Sequence, residues 1–156
     1  MKKPSKKSKR KPKSTAKIID ECAVLMQKLV RLKAADSNGF CTCVTSGVKK
    51  HWKEMQGGHF IERGKLGTKL MEENIHPQTP YENQYGMQRA TTVLKYRQYM
   101  VDMYGEDFVE EMLEMSRQVK KYTRAEALEI HADLKIQVKE AEQRVEQLRP
   151  TQEDGY

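Results

Sequence analysis

The sequence predicts an α+β protein that is predominantly α-helical, with one small ββα unit flanked by helices. Two stretches, 15–35 and 123–148, repeat apolar residues every three or four positions, which is the period of an amphipathic helix. A short apolar segment with two glycines, at 57–61, is typical of a strand. Hydrophobic residues make up 37% and aromatic residues 7% of the 156 positions, so the core is small and a large α/β enzyme is not expected.

The positive charge is concentrated at the N-terminus. The chain has 29 Lys and Arg against 22 Asp and Glu, and eight of the basic residues lie within 2–13, where there is no acid. Residues 1–14 also lack large apolar side chains beyond Met1, so we expect a disordered basic tail. The tail either keeps the protein in solution or binds DNA phosphates, and its candidate contacts are Lys2, Lys3, Lys6, Lys7, Lys9, Arg10, Lys11 and Lys13.

The sequence also limits the class of protein. No window approaches the roughly 18 uninterrupted apolar residues of a membrane-spanning helix. The charged N-terminus is not followed by the apolar stretch of a signal peptide, so we expect a soluble, cytoplasmic protein without a membrane partner. The three cysteines are an odd number, and Cys41 and Cys43 are too close to pair easily, so no disulfide framework is expected.

The first elements follow from apolar spacing and turn residues. The helix at 15–35 carries Cys22 on its apolar stripe, as a buried thiol, and turn formers end it. Short alternation of Cys, Val, Thr and Gly over 40–50 predicts a tight hairpin or knuckle. The strand that ends near Ile61 is then expected to pair with a second strand at 70–75.

The rest of the chain is predicted to be helical. Proline is well tolerated in a first turn, so one helix is expected to begin near Pro80 and to end at Gly105. A second is expected over 106–118, and the last begins with Thr123 and Glu126 in the pattern of a capping box. These elements group into a tail (1–14), an N-terminal helix (15–35), a central unit (36–105) and a helical C-terminal region (106–156).

The central unit is denser in metal-binding and proton-transferring residues than the flanking helices. Its order is Gly-Gly-His at 57–59, Asn74-Ile-His76, and then Asn83 just inside the next helix. A His on one strand, an Asn on the returning strand and an Asn on the following helix is the spacing of the HNH, or ββα-metal, nuclease finger. Hydrolysis of a phosphodiester needs a base that takes a proton from water and a cation that stabilises the departing oxygen.

A longer string of residues resembles one family. The string is Cys-Val-Thr-Ser-Gly at 43–47, Trp52, Met55-Gln-Gly-Gly-His-Phe-Ile61, Asn74-Ile-His-Pro-Gln78, Asn83, Gly86 and Met103-Tyr-Gly105. Over residues 36–125 the chain resembles the bacteriophage NinG family, also called Rap. The resemblance implies an HNH-type recombination endonuclease that acts on branched DNA, such as Holliday junctions and displacement loops, in a bacterial host cell.

The resemblance also implies roles for individual residues. His59 matches the Gly-His of the family and would be the general base, while Asn74 would orient it. Asn83 matches the metal-ligand position on the helix, with Mg²⁺ or Mn²⁺ as the implied cofactor, and His76 is either a second metal ligand or a residue that fixes the strand. Gly58 stands where some HNH proteins have an acidic ligand, and the acids that could replace it are Glu54, Glu62, Glu72 and Glu73.

The chain departs from the family where other members bind structural zinc through paired cysteines. The first pair reads Cys43 and Ser46 here, and the second reads Thr79 and Glu82. A tetrahedral zinc site with one remaining cysteine would be weak. Cys41 and Cys43 could contribute to an unusual site with Glu82 and a histidine, but we expect a finger without structural zinc, held by packing and hydrogen bonds.

Basic and aromatic residues in and beside the finger are candidates for DNA contact. The cations assigned to a phosphate-binding rim are Arg63, Lys65, Lys69 and Arg97. Four tyrosines could stack on splayed bases, although their helical spacing favours core packing: Tyr81, Tyr85, Tyr96 and Tyr99.

The sequence therefore predicts a metal-dependent endonuclease that cleaves branched DNA. Its candidate partners are branched DNA, phage or host recombination proteins, and a second copy of the chain in a homodimer. The alternative, favoured by the missing cysteines, is a catalytically inactive accessory protein that binds branched DNA without cutting it.

Overall fold

The computed structural model describes residues 10–150, which form six α-helices and two small antiparallel sheets. The predicted α+β class with a predominance of helix is confirmed. None of the helices in 10–150 is long and apolar enough to cross a membrane. Five of the predicted tail contacts lie outside the described residues: Lys2, Lys3, Lys6, Lys7 and Lys9.

The first helix, α1 (Thr15–Ala34), agrees closely with its predicted bounds. The Ser14 hydroxyl accepts a hydrogen bond from the backbone N–H of Lys17 and so caps the N-terminus of the helix. The predicted apolar stripe is buried, and Cys22 on it is fully buried. Other elements must cover this apolar stripe, so α1 lies at the centre of the main hydrophobic core.

The last helix, α6 (Arg124–Gln147), packs on this stripe. It begins with the predicted capping box, in which Thr123 and Glu126 each accept a hydrogen bond from the other's backbone N–H. Arg144 donates to the carbonyl of Leu32 at 2.6 Å and so satisfies one of the free carbonyls at the end of α1. The main hydrophobic core lies between these helices and includes Ile18, Cys22, Leu29, Leu32, Leu134, Val138 and Val145.

The predicted hairpin follows α1. Its strands β1 (Phe40–Thr42) and β2 (Lys49–His51) are antiparallel, and Cys41 pairs with Lys50 in their register. Arg31 of α1 donates to the carbonyl of Met55 at 2.8 Å, which ties the segment after the hairpin to the helix.

The second sheet corrects one prediction. β3 (Gln56–His59) pairs with β4 (Ile75–Gln78), so the returning strand begins where it was expected to end. The segment before it is a short helix, α2 (Leu66–Lys69), and a 3-10 turn (Glu72–Asn74). Leu70 and Met71, which suggested a strand, instead pack against different hydrophobic clusters from irregular backbone.

The helix expected between Pro80 and Gly105 is also corrected. It is divided into α3 (Pro80–Gln84) and α4 (Ala90–Tyr104) by a 3-10 turn that begins at Gly86. Gly105 ends α4 as predicted, with a φ of 88° that favours glycine, and α5 (Glu106–Arg117) follows. A second hydrophobic core joins α4 and α5 and consists of Ile61, Tyr96, Met100, Val109 and Met112.

Candidate functional site

A cleft of about 390 Å³ lies where β3, α1 and α3 meet, and it brings together the two residues predicted as base and metal ligand. The cleft depends on close approach of strand and helix, since a Cβ at Gly57 would lie 2.7 Å from the backbone of Gln27. The side chains that line it include Gln27, His59, Glu62, Arg63 and Asn83.

His59 is held in one orientation by a backbone carbonyl. Its Nε2 lies 2.9 Å from the carbonyl oxygen of Lys69, which can only accept, so Nε2 carries the proton and Nδ1 is the basic nitrogen of the neutral ring. Burial lowers the pKa of His59 below its usual value, and the nearby cations Arg63 and Lys69 add to that effect. The imidazole is therefore neutral at pH 7, as a general base requires.

Asn74 does not orient His59 as predicted. Its backbone carbonyl accepts from the N–H of Phe60, and its side chain pairs with both backbone polar groups of Ile61, at 2.7 and 3.1 Å. The amide nitrogen also donates to the carbonyl of Thr68 at 3.1 Å. The amide is fully used there, so Asn74 acts on the loop between His59 and Lys69 and has no direct bond to the imidazole.

His76 does not fit the role of metal ligand, because both of its ring nitrogens are occupied. Nδ1 lies 3.2 Å from the hydroxyl of Tyr96, and Nε2 lies 2.8 Å from that of Tyr104. Tyr96 donates its own proton to the carbonyl of Gly58 at 2.6 Å, so Nδ1 donates to Tyr96 and Nε2 accepts from Tyr104. The chain of hydrogen bonds runs from Tyr104 through His76 and Tyr96 to the Gly58 carbonyl of β3. His76 therefore takes the second of its two predicted roles and fixes the strand.

This buried chain predicts a specific dependence of stability on pH. Burial lowers the pKa of His76 from 6.5 to about 4, so the unfolded chain takes up the proton first as the pH falls. The contribution of neutral His76 to the unfolding free energy is complete above pH 6.5. It is lost as the pH falls from 6.5 to about 4, and the total loss is about 3 kcal/mol. Urea unfolding of the wild type and of His76→Gln between pH 4 and pH 7 measures it. Their difference in unfolding free energy should shrink toward pH 4, and a constant difference would contradict the expected shift.

The cleft contains oxygen donors of the type that hard divalent cations prefer. Asn83 uses its amide nitrogen to donate to Gln56 at 2.8 Å, which turns the amide oxygen into the free end of the side chain. Of the four acids considered from sequence, Glu62 lines this cleft, with its exposed carboxylate 3.7 Å from the Lys65 ammonium, whereas Glu72 is not among the lining residues and pairs with Lys33. Mg²⁺ and Mn²⁺ prefer carboxylate and carbonyl oxygens, so Asn83 and Glu62 are suitable ligands. Within 10–150 there is no cluster of three or more His, Cys, Asp or Glu residues able to hold a metal ion.

Two of the cations assigned to the DNA-binding rim are engaged elsewhere. Lys69 is 8% exposed, and its ammonium lies 2.5 Å from a carboxylate oxygen of Asp20. Arg97 pairs with Glu106 and Glu110 on α5. Both charges are thus compensated within the protein, and neither is free for a phosphate. Arg63 and Lys65 are exposed, and Arg63 lines the cleft itself. Their contacts are longer: Arg63 donates to the carbonyl of Asp20 at 3.3 Å, and Lys65 lies 3.7 Å from Glu62.

The tail residues that the structure describes are exposed. Arg10 and Lys11 have no secondary structure, whereas Lys13 lies 2.7 Å from the carboxylate of Glu21 on α1. Two cations therefore remain for a phosphate in this part of the tail.

Comparison with known protein families shows which family the chain belongs to. The family model described as Bacteriophage Lambda NinG protein matches residues 1–146. The chain belongs to the NinG family. Membership in this family makes it a phage protein related to recombination. No curated protein and no solved structure shows significant similarity to the chain.

The four positions of the NinG zinc frame come together in this chain although three of them have changed. Burial alone would raise the pKa of the Cys43 thiol, but hydrogen bonds from Ser46, Thr45 and the Thr79 backbone outweigh it and lower the pKa. The Thr79 hydroxyl in turn accepts from the backbone of Glu82. The network joins the hairpin to α3, the connection that a zinc ion would make. A finger without structural zinc remains a prediction.

Cys41 lies in the same small hydrophobic cluster as Cys43, but the pKa of its thiol is shifted in the opposite direction. Burial raises its pKa to about 11, and it packs with Met55 and Trp52. A thiol in such surroundings stays protonated at neutral pH in the metal-free protein.

Sequence reasoning about this NinG protein missed the partners of both histidines. The partner of His59 is the backbone carbonyl of Lys69, and every residue type has such a carbonyl, so the sequence could not indicate it. Tyr96 and Tyr104 lie 20 and 28 positions after His76 and meet it through the packing of α4 against the sheet. The Met-Tyr-Gly string that ends at Gly105 indicated that Tyr104 is distinctive, but it did not indicate that Tyr104 contacts His76.

Proposed function

We propose that this chain is a metal-dependent endonuclease of the HNH type that hydrolyses branched DNA, such as Holliday junctions and displacement loops, during phage recombination. The observation that carries the proposal is the imidazole of His59, held by the Lys69 carbonyl in the same cleft as Asn83. A base and an oxygen ligand that line one cleft can act on a single phosphate bound there.

The proton transfer falls to His59. Its Nδ1 accepts the proton of the attacking water, and its lowered pKa keeps that nitrogen free at neutral pH. The Lys69 carbonyl accepts from Nε2 throughout, so it holds the ring in place and stabilises the positive charge that the ring acquires.

The other residues of the cleft bind and orient the phosphate. Asn83 and Glu62 would hold the cation, and Arg63 presents an exposed guanidinium to the phosphate oxygens. Bound Mg²⁺ or Mn²⁺ supplies positive charge to the departing 3′ oxygen. Gly57 and Gly58 leave the backbone of β3 without side chains at this point. A Cβ at Gly57 would collide with Gln27, and a Cβ at Gly58 would collide with Gln78.

A direct assay tests the proposed activity. The full-length protein is incubated with a labelled four-way junction or a matched linear duplex, with Mg²⁺, with Mn²⁺ or with EDTA. We expect cleavage of the junction with either metal and none in EDTA. Tight binding without any cleavage would instead support the accessory-protein alternative, and equal cleavage of both substrates would contradict a preference for branches.

The role of Asn83 predicts a change in metal requirement. Asn83→Ala should raise the Mg²⁺ concentration needed for half-maximal cleavage, with partial recovery at high Mn²⁺, because one oxygen ligand is lost. Gln84→Ala, a change at the exposed neighbouring position, is the control and should behave as the wild type. An unchanged metal titration for Asn83→Ala would exclude Asn83 as a ligand.

The basic tail predicts a change in salt dependence. Deleting residues 2–13 removes eight cations, so the plot of log affinity for DNA against log salt should become shallower by several units. Replacing the exposed Lys135 and Lys139 of α6 by Ala should leave the slope unchanged. If the deletion also leaves it unchanged, the tail does not touch DNA and the solubility role remains.

A further inference from the structure

The four tyrosines considered from sequence separate into two groups in the structure. Tyr96 is fully buried and Tyr99 is half-buried, so both belong to the packing beneath the sheet. Tyr81, on α3, and Tyr85, the C-cap residue directly after it, are each 58% exposed. Their ring centroids are 5.8 Å apart, and the planes meet at 44°. We call Tyr81 and Tyr85 the tyrosine pair.

The tyrosine pair lies beside the candidate active site but outside it. Residues two apart on a helix point in roughly opposite directions, and residues four apart lie one above the other. Asn83 faces the cleft, so Tyr81 and the C-cap residue Tyr85 occupy the outer side of the same helical turn. The two features are therefore separated by about one helix diameter, about 10 Å.

Cations border the tyrosine pair. The guanidinium carbon of Arg89 lies 5.3 Å from the ring centroid of Tyr81, and Lys50 lines a shallow groove with Val48 and Tyr81. The guanidinium of Arg89 lies 3.8 Å from the carboxylate of Glu82, a long contact to a side chain that is only 13% exposed, while the side chain of Arg89 is itself 53% exposed. The surface that solvent meets is thus aromatic and positive.

We propose that the tyrosine pair stacks on unpaired bases of the DNA strand whose phosphate occupies the cleft, while Arg89 and Lys50 meet the phosphates of that strand. The inference rests on the proposed function and deepens it. An aromatic face can stack on any base, so recognition would be independent of sequence. The base faces of a closed duplex are covered by their own neighbours, so only unpaired nucleotides can use the pair. The tyrosine pair would thereby favour branch points with open bases over intact duplex.

Binding in EDTA tests this inference separately from cleavage. The full-length protein is titrated into three fluorescent DNAs of matched sequence: a single strand, a duplex with an unpaired flap, and a closed duplex. Replacing both tyrosines by Leu should weaken binding to the first two by on the order of 10- to 100-fold, the value of one or two base stacks, and should leave the closed duplex unaffected. Replacing both by Phe keeps the rings and should retain the wild-type preference.

A second measurement reports stacking itself. With 2-aminopurine in the flap, wild type and the double Phe variant should quench its fluorescence, and the double Leu variant should not. Leu94→Ala, at a 65% exposed apolar position on α4, is the matched control and should behave as the wild type. Equal losses on all three DNAs, or no loss on any, would overturn the inference. If the protein prefers DNA with unpaired bases but never cleaves any DNA, the proposed nuclease activity is overturned. The role of the tyrosine pair in stacking would still stand.

Discussion

Cleavage of a four-way junction is expected to slow by about 10²- to 10⁴-fold when His59 is replaced by Ala, with junction affinity nearly unchanged. The loss follows from removal of the basic Nδ1 that the Lys69 carbonyl holds in place. Affinity should persist because it depends on cations and backbone outside the imidazole. Single-turnover cleavage and binding in EDTA measure the two quantities separately.

The control for this variant is His131→Ala, which removes a histidine on α6 that lies outside the cleft and 3.4 Å from Glu21. It should cleave as the wild type does. Added Mg²⁺ or Mn²⁺ should not rescue His59→Ala, in contrast to the Asn83 variant. Equal rates for wild type and His59→Ala would remove His59 from the role of base.

The pH profile of the wild type gives the same assignment a second test. The base must be unprotonated, and burial places the pKa of His59 below its ordinary value of 6.5. Activity should therefore persist as the pH falls through 6.5 and decline only at lower pH. A decline centred above pH 6.5 would contradict the observed burial of the ring.

The second large effect is expected on stability. Asn74→Ala leaves the N–H and carbonyl of Ile61 and the carbonyl of Thr68 without their partner, in a site where Asn74 is 0% exposed. Each unpaired buried group costs about 1 to 3 kcal/mol, so the unfolding free energy should fall by about 3 kcal/mol or more. Urea unfolding measures this loss, and hydrogen exchange at the Ile61 amide should accelerate.

Asn83→Ala is the matched comparison, because it removes the same side chain from a half-exposed position with one hydrogen bond. It should cost about 1 kcal/mol at most. If the two variants were equally stable, the side chain of Asn74 would not be holding the loop that carries Lys69.

Local signals in the sequence predicted several elements correctly. The apolar stripe of α1, the capping box at Thr123 and the end of α4 at Gly105 all depend on residues within a few positions of each other. Hydrogen bonds to a cap and the conformational freedom of glycine act locally, so they can be inferred without the rest of the fold. His59 and Asn83 were also placed on the correct types of element.

The two incorrect elements have non-local causes. Leu70 and Met71 are apolar because each fills a different hydrophobic cluster, and burial alone does not specify a strand. The helix after Pro80 is interrupted by the 3-10 turn that begins at Gly86, and the reason lies in contacts with a distant strand. The interruption lets Asn83 reach Gln56 while Tyr96 reaches Gly58, on the same strand.

The sequence by itself determined the helical class, the stripes that pair α1 with α6, and the candidacy of His59, Asn74 and Asn83. Only the tertiary structure decided what each polar group contacts. His76 was open between metal ligation and support of the strand, and packing against Tyr96 and Tyr104 assigned it to support. Lys69 was expected on DNA, yet its ammonium meets Asp20 and its carbonyl meets His59. The physical reason is that hydrogen bonds and ion pairs require groups within about 3 Å, and partners many residues apart acquire that distance only when the chain folds.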